Sequence, residues 1–182
     1  FIALNPALTR TRVGSLSTRT AHPEFLGRLR ELLAKADIRV DINNPYEDKT
    51  KGEMLNECRD QALLEELAPS SVSCGRYRVF GYKHCGRCVP CQVRRASIHA
   101  WDHEDDTEYV FRRLGKQDSD CAHFDDVRSV AMAIAQVKVD GMDAWLSSSL
   151  SYPHMGDRAA RRALVERGLA ELEDLHVALG VK

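Results

Sequence analysis

The spacing of apolar residues predicts alternating helices and strands over the first part of the chain. Between Pro23 and Ala36, apolar residues recur every three or four positions, which is the spacing of one helix face. Over 38–42, Ile, Val and Ile then alternate with charged residues, as in a half-buried strand. The apolar residues 1–4 predict another strand. Strands that alternate with helices in this way indicate a parallel α/β fold.

A second helix is predicted to begin at Thr50. Thr50 and Glu53 have the spacing of a capping box, in which each side chain accepts a hydrogen bond from the other residue's backbone. Lys51 therefore lies in the first turn of this helix, and the segment 68–73 ends it.

The second half of the chain has mainly helical spacing. Helices are predicted at 107–114, 125–139, 144–150 and 157–179, and the last of these carries an apolar stripe. The sequence thus predicts two parts, an α/β part over residues 1–102 and a helical extension over residues 103–182.

Charge and hydropathy exclude several classes of protein. The 182 residues include 26 Lys and Arg against 27 Asp and Glu, so no overall field attracts nucleic acid or a membrane surface. No apolar run has the length of a membrane span, and no secretion signal is recognisable. We therefore expect a cytoplasmic protein without a membrane partner. Because the chain starts abruptly at Phe1 in an apolar run, we interpret it as the C-terminal part of a longer protein.

Four of the six cysteines are clustered at the spacing of a metal site. Cys74 is followed after ten residues by Cys85, Cys88 and Cys91. A Cys-x-x-Cys pair places two thiolates in one turn around a tetrahedral ion, and four sulfur ligands leave no open position for chemistry. The spacing predicts one structural zinc ion; the alternatives are a redox pair and an iron–sulfur cluster. Cys58 and Cys121 are not expected to be ligands.

Two stretches of the sequence resemble the 7-cyano-7-deazaguanine synthase (QueC) family. One is Ser73-Cys74 followed by Cys85-Gly86-Arg87-Cys88-x-x-Cys91-x-x-Arg94. The other runs from Asn44-Pro45-Tyr46 to Lys49-Thr50-Lys51-Gly52-Glu53 and is similar to the family's Thr-Pro-Leu…Lys-Ala-Glu segment. The resemblance covers about residues 1–110. The loop at 10–20 and the helical extension are more similar to the QueC-like component (QatC) of the Qat anti-phage system.

The resemblance implies a fold and two cofactors. The fold is the C-terminal part of a Rossmann-like PP-loop (N-type ATP pyrophosphatase) domain, with a zinc loop at 72–92 and a helical C-terminal extension. Besides structural zinc, the family uses ATP with Mg²⁺. The family's Ser-Gly-Gly-x-Asp-Ser loop for the ATP phosphates does not occur in these 182 residues, so we expect it in an N-terminal part of the protein.

The resemblance also implies a reaction and the residues that serve it. A carboxylate of the 7-carboxy-7-deazaguanine type is adenylylated, and an amine then attacks; the acceptor is ammonia or a protein amine. Lys51 matches the family lysine that faces the ATP phosphates and is the expected catalytic residue. The expected substrate-binding residues are Ser17, Thr18, Arg19 and Thr20.

Three alternatives to a defence enzyme follow from the sequence. The first is a 7-cyano-7-deazaguanine synthase of queuosine biosynthesis. The second is a zinc-ribbon nucleic-acid binding module, favoured by basic residues in and around the cysteine segment. The third is a non-catalytic scaffold that binds a partner protein of a defence system. The basic residues are Arg76, Arg78, Lys83, Arg87, Arg94 and Arg95.

Overall fold

The described part of the chain is built from helices. The computed structural model describes Leu4 and residues 6–8, 20–115, 126–147 and 149–181. Seven α-helices occur there, and a short 3₁₀ turn, Ala68–Ser70, follows the third of them. The helices are α1 Pro23–Lys35, α2 Lys51–Asn56, α3 Gln61–Leu67, α4 Val89–Ala100, α5 Asp126–Asp140, α6 Met142–Leu146 and α7 Arg158–Ala178.

The predicted Rossmann-like α/β fold is wrong for the residues described. Those residues contain no sheet, and their only pairing of strand type is an isolated bridge between His84 and Tyr109. The predicted strand at 38–42 has no regular secondary structure, and Ile38 and Val40 are about half exposed. A strand is stabilised by hydrogen bonds to a neighbour, and the described part of the chain has no strand beside this segment. Of the strand predicted at 1–4, only Leu4 is described, and it is buried among helical residues.

Helix α1 is attached through polar contacts rather than through its predicted apolar face. Pro23 at its start is confirmed, and the His22 side chain caps the first turn. The buried side consists of Pro23, Glu24 and Gly27, whereas Leu32 is 63% exposed. Glu24 accepts a 3.1 Å hydrogen bond from the backbone N–H of His154. Apolar periodicity therefore identified the helix but not the side that is buried.

The capping box at Thr50 and Glu53 is confirmed, but the helix that it opens is short. Glu53 N–H donates to Thr50 Oγ1 at 3.1 Å, and Thr50 N–H donates to Glu53 Oε2 at 2.8 Å. The helix ends at Asn56, and a second helix, α3, begins after its own N-cap, Asp60. The side chain of Asp60 accepts from the backbone of Leu63, which redirects the chain between the two helices.

The core is formed where α4, α5 and α7 meet. Its main buried cluster takes residues from both sides of the predicted domain boundary at 102/103, and α4 also packs on α2. The cluster consists of Leu8, Ala96, Leu114, Val127, Val130, Ala133, Leu172 and Leu175. The helices predicted at 125–139 and 157–179 are thus found within one or two residues of their predicted ends.

Helix α7 also holds the start of α2. The Glu171 carboxylate accepts a hydrogen bond from the Thr50 hydroxyl, and a Cβ on Gly52 would lie only 2.6 Å from Glu171 Oε1. Arg167 donates to the Glu53 carboxylate at 2.5 Å and to the Asp48 carbonyl at 2.7 Å. The N-terminus of α2 is therefore fixed by side chains of a helix more than a hundred residues away.

Among the helices described, none is both long enough and apolar enough to cross a lipid bilayer.

Helix α7 is joined to α4 by a buried hydrogen bond that predicts a pH dependence of stability. His176 Nε2 lies 2.8 Å from Gln92 Oε1, and Gln92 Nε2 donates to the Arg87 carbonyl at 2.6 Å. Because the amide nitrogen of Gln92 is used there, its oxygen accepts from a neutral His176. Burial lowers the pKa of His176.

We expect the contribution of His176 to stability to be complete above about pH 6.5, its pKa in the unfolded chain. It is lost as the pH falls below that value, because the unfolded chain then binds a proton that the folded chain excludes. The free energy of unfolding should fall by up to about 1.4 kcal/mol per pH unit for this group. Urea titrations at pH 7.5 and 5.5 measure it. The same slope in His176→Gln would contradict the assignment.

Candidate metal centre and adjoining pocket

The four predicted cysteine ligands converge on one buried point. The sulfur atoms of Cys74, Cys85, Cys88 and Cys91 all lie within 4.8 Å of one another. The Cys85–Cys91 and Cys74–Cys88 sulfur pairs are each 3.9 Å apart. Sulfur atoms bound at ~2.3 Å to a tetrahedral zinc ion would be ~3.8 Å apart, and a disulfide would bring two of them to ~2.05 Å. The cluster therefore has the dimensions of a metal site and contains no disulfide.

The charge of the cluster also favours a cation. Hydrogen bonds from the thiols of Cys88 and Cys91 lower the pKa of Cys85 to about 2. The same hydrogen bonds to Cys85, together with burial, raise the pKa of Cys88 to about 12 and that of Cys91 further. Burial and the mutual proximity of the thiols thus oppose the ionisation of all four together. Four thiolates can occupy this volume only if a cation neutralises them, which fits a Cys₄ zinc site.

Backbone groups turn towards the sulfur atoms. The N–H groups of Arg87 and Cys88 donate to Cys85 Sγ at 3.4 and 3.2 Å, and that of Arg76 donates to Cys74 Sγ at 3.3 Å. Pro90 stands in the first turn of α4, as predicted, and places Cys91 there as well. A helix N-terminus and convergent N–H groups both stabilise thiolates.

The segment predicted as a helix at 107–114 is instead extended along the metal loop. The backbone N–H of Val110 donates to the His84 carbonyl at 2.9 Å, and that of Phe111 donates to the Cys85 carbonyl at 3.1 Å. Asp105 holds the start of the segment by accepting from the Thr107 backbone N–H at 3.1 Å. These hydrogen bonds replace the ones that a helix would make, so tertiary contacts override the local preference.

Aromatic rings cover the cluster. Tyr77 and Phe80 pack against the cysteines, and Phe111 closes the other side, with its ring 5.7 Å from that of Phe80. Tyr82, in the same loop, is 68% exposed and does not cover the cluster. The rings exclude water from the sulfur atoms, as a structural site requires.

Helix α4 links the candidate metal centre to a buried arginine, Arg94, one turn further along the helix. Arg94 is three residues after Cys91, and its guanidinium is buried. It donates to Thr107 Oγ1 at 2.9 and 3.1 Å, to the hydroxyl and carbonyl of Ser71 at 2.7 and 3.1 Å, and to the Ala68 carbonyl. All of these acceptors are neutral. Within the described residues, no carboxylate lies within ion-pair distance of Arg94.

Lys51 and Arg94 line the same pocket. The pocket lies between α2, α3 and α4 and has a volume of about 290 Å³. Lys51 remains exposed as a residue, yet burial and then the positive charge of Arg94 lower the pKa of its ammonium group. The apolar wall of the pocket consists of Met54, Leu55, Leu64, Leu67 and Ile98.

Of the four predicted substrate-binding residues, only Thr20 is described. Ser17, Thr18 and Arg19 lie outside the described residues. Thr20 is exposed in the turn that precedes α1 and does not line the pocket. The substrate-binding role of these four residues therefore stays a prediction.

Sequence reasoning did not select Arg94 as a site residue, although a signal for it was present. A residue three positions after Cys91 in a helix lies on nearly the same face, one turn on. Arg94 was counted instead among the basic residues of a possible nucleic-acid surface. Arg87, Arg94 and Arg95 are all buried and donate to backbone carbonyls, so half of that basic set faces inward.

No protein-family model, no curated protein and no solved structure matches this chain significantly.

We expect the purified chain to hold one zinc ion, and Cys85→Ser to lose it. Metal binding in sites of this kind contributes about 10 kcal/mol or more to folding, so the variant should also unfold at a lower temperature. Metal analysis and thermal unfolding measure both effects. Cys58→Ser is the matched control, because Cys58 lies outside the cluster. A visible absorption band with bound iron would contradict zinc and favour the iron–sulfur alternative.

Gly86 should be intolerant of a side chain. Its φ of +82° favours glycine, and an added Cβ would lie 2.2 Å from the Phe111 carbonyl oxygen. We expect Gly86→Ala to lower the free energy of unfolding by about 2 kcal/mol or more and to weaken zinc retention against a chelator. Gly75→Ala, in the same loop but with open space around its Cβ, should change neither quantity. Equal behaviour of the two variants would contradict the assignment.

Proposed function

We propose that this chain belongs to a QueC-like, ATP-dependent carbon–nitrogen ligase. Such an enzyme activates the carboxylate of a 7-carboxy-7-deazaguanine-type acid by adenylylation and passes the acyl group to an amine. One observation carries the proposal: Lys51 and Arg94 bring two positive charges to one pocket, and none of the described residues that line this pocket is acidic. Both residues come from the two stretches that resemble the QueC family.

The charges of the pocket suit the reaction. The acid's carboxylate oxygen attacks the α-phosphorus of ATP, and the bond from that phosphorus to pyrophosphate breaks. The amine then attacks the carbonyl carbon, loses a proton and displaces AMP. The acid, ATP and both leaving groups, pyrophosphate and AMP, are anions. A site for this chemistry therefore needs cations that are not already neutralised. Lys51 supplies an ammonium donor, and Arg94 adds a fixed charge behind it.

Zinc has a structural part in this proposal. Four thiolates would leave a zinc ion no open coordination position, and the helix that carries Cys91, α4, also carries Arg94. The metal centre fixes the start of α4 and the segment with Thr107, which accepts from Arg94. Its loss would therefore disturb the pocket without removing a reacting group.

The proposal places ATP and its Mg²⁺ on a phosphate-binding loop outside these 182 residues. The amine acceptor is ammonia or a protein amine. The similarity of the helical extension to the Qat component favours an anti-phage defence system, and queuosine biosynthesis is the alternative. The inward orientation of Arg87, Arg94 and Arg95 counts against the nucleic-acid module.

The complete product of the gene that encodes this chain should release pyrophosphate from ATP only when the deazaguanine acid is present. We expect Lys51→Met to lower kcat/KM by about 10- to 100-fold, the effect of losing one charge-assisted hydrogen bond. Lys49→Met is the control, because Lys49 is two residues away, pairs with Glu57 and does not line the pocket. Pyrophosphate release that does not depend on the acid, or an equal loss in both variants, would contradict the proposal.

A further inference from the structure

The pocket beside Lys51 has the size and lining of a site for a small aromatic ligand. Its volume of about 290 Å³ is just below the range for ligand pockets, which begins at about 300 Å³. Apolar side chains from α2, α3 and α4 form most of its wall, among them Leu64, Leu67 and Ile98. Such a wall favours the flat face of a ring and does not solvate charge.

One end of the pocket attracts a single negative charge. Of the described residues that line it, none is acidic, and two are cations. The donors of Arg94 are already engaged with Ser71, Thr107 and the Ala68 carbonyl, so it contributes charge rather than a free N–H. Lys51 has no hydrogen bond or ion pair to any other described residue, and its ammonium is the free donor.

The proposed reaction has two anionic substrates, ATP and the heteroaromatic acid, and these features of the pocket favour the acid. A site for a nucleoside triphosphate needs several hydrogen-bond donors to the phosphates, among them backbone N–H groups, and acidic ligands for Mg²⁺. The pocket offers one free ammonium, no carboxylate and mostly apolar surface. A heteroaromatic acid needs an apolar slot for its ring and one cation for its carboxylate, and the pocket supplies both.

We infer that the Lys51 pocket binds the heteroaromatic acid, with the ring against the apolar wall and the carboxylate on the Lys51 ammonium. This differs from the role on ATP phosphates that the family resemblance implies for Lys51. The identity of the acid rests on the proposed function, whereas the class of ligand rests on the pocket itself. Lys51 then contacts substrate, and Arg94 is a positioning residue that raises the local potential.

The test measures binding without catalysis. The zinc-loaded chain is titrated by calorimetry with 7-carboxy-7-deazaguanine, with the corresponding carboxamide, and separately with ATP and inorganic pyrophosphate. In Lys51→Met, we expect the Kd for the acid to rise about tenfold or more, and the Kd values for carboxamide, ATP and pyrophosphate to change less than about twofold. Lys49→Met should leave all four unchanged.

A wall variant tests the apolar slot independently of charge. Leu64→Ser should weaken the acid and the carboxamide alike, by about three- to tenfold, because both place the same ring there. Loss of ATP or pyrophosphate binding in Lys51→Met with the acid unaffected would overturn the inference in favour of a phosphate site. No binding of the acid to the wild-type chain would overturn it as well.

The outcomes also separate this inference from the proposed function. Binding of the acid through Lys51, without acid-dependent release of pyrophosphate by the complete gene product, would refute the ligase and leave the acid site standing. Acid-dependent release of pyrophosphate that Lys51→Met lowers, together with a Kd for the acid that the same variant leaves unchanged, would refute the acid site and leave the ligase standing.

Discussion

The rest of this structure depends on the convergence of four buried cysteines. Their sulfur atoms lie close enough that only a cation can hold them together at full charge. The loop from Cys74 to Cys91 has no other core of its own, apart from the rings that cover the sulfur atoms. The start of α4 carries Cys91, and the extended segment after Asp105 donates to the carbonyls of His84 and Cys85, so both pack around this centre. Arg95 is held beside it by the Gly86 carbonyl.

Helix α4 transmits that constraint to the pocket and to the rest of the core. One side of it packs on α7 through Ala96 and the Gln92–His176 hydrogen bond. Another side carries Arg94 and Ile98 into the pocket wall. Helix α7 in turn holds the N-terminus of α2 through Glu171 and so fixes the backbone that carries Lys51. The pocket is therefore positioned from two directions, by the metal centre and by the C-terminal helix.

The sequence was sufficient wherever the signal was local. Cysteine spacing identified the four residues that converge on the candidate metal site, and the Thr50–Glu53 pair identified the start of α2, because cap and ligand geometry depend only on near neighbours. The long helix α7 was equally visible from its periodicity. The prediction of a strand at 38–42 was wrong because alternating apolar residues do not by themselves stabilise a strand. A strand also needs a neighbouring strand to pair with, and local sequence does not reveal whether one is present.

The same distinction between local and tertiary signals explains why the sequence identified Lys51 as a site residue but not the pocket around it. Lys51 was found from its place in a short motif, but the meaning of its charge depends on what surrounds it. A surface lysine with a carboxylate partner, such as Lys83 with Glu108 at 2.5 Å, has its charge neutralised within the protein. For Lys51, burial and then the positive charge of Arg94 lower the pKa instead, because two cations beside an apolar wall disfavour each other's charged form. Two cations in one pocket cost the folded chain stability unless a ligand supplies a negative charge. The pocket, rather than the short motif around Lys51, is therefore the argument for binding.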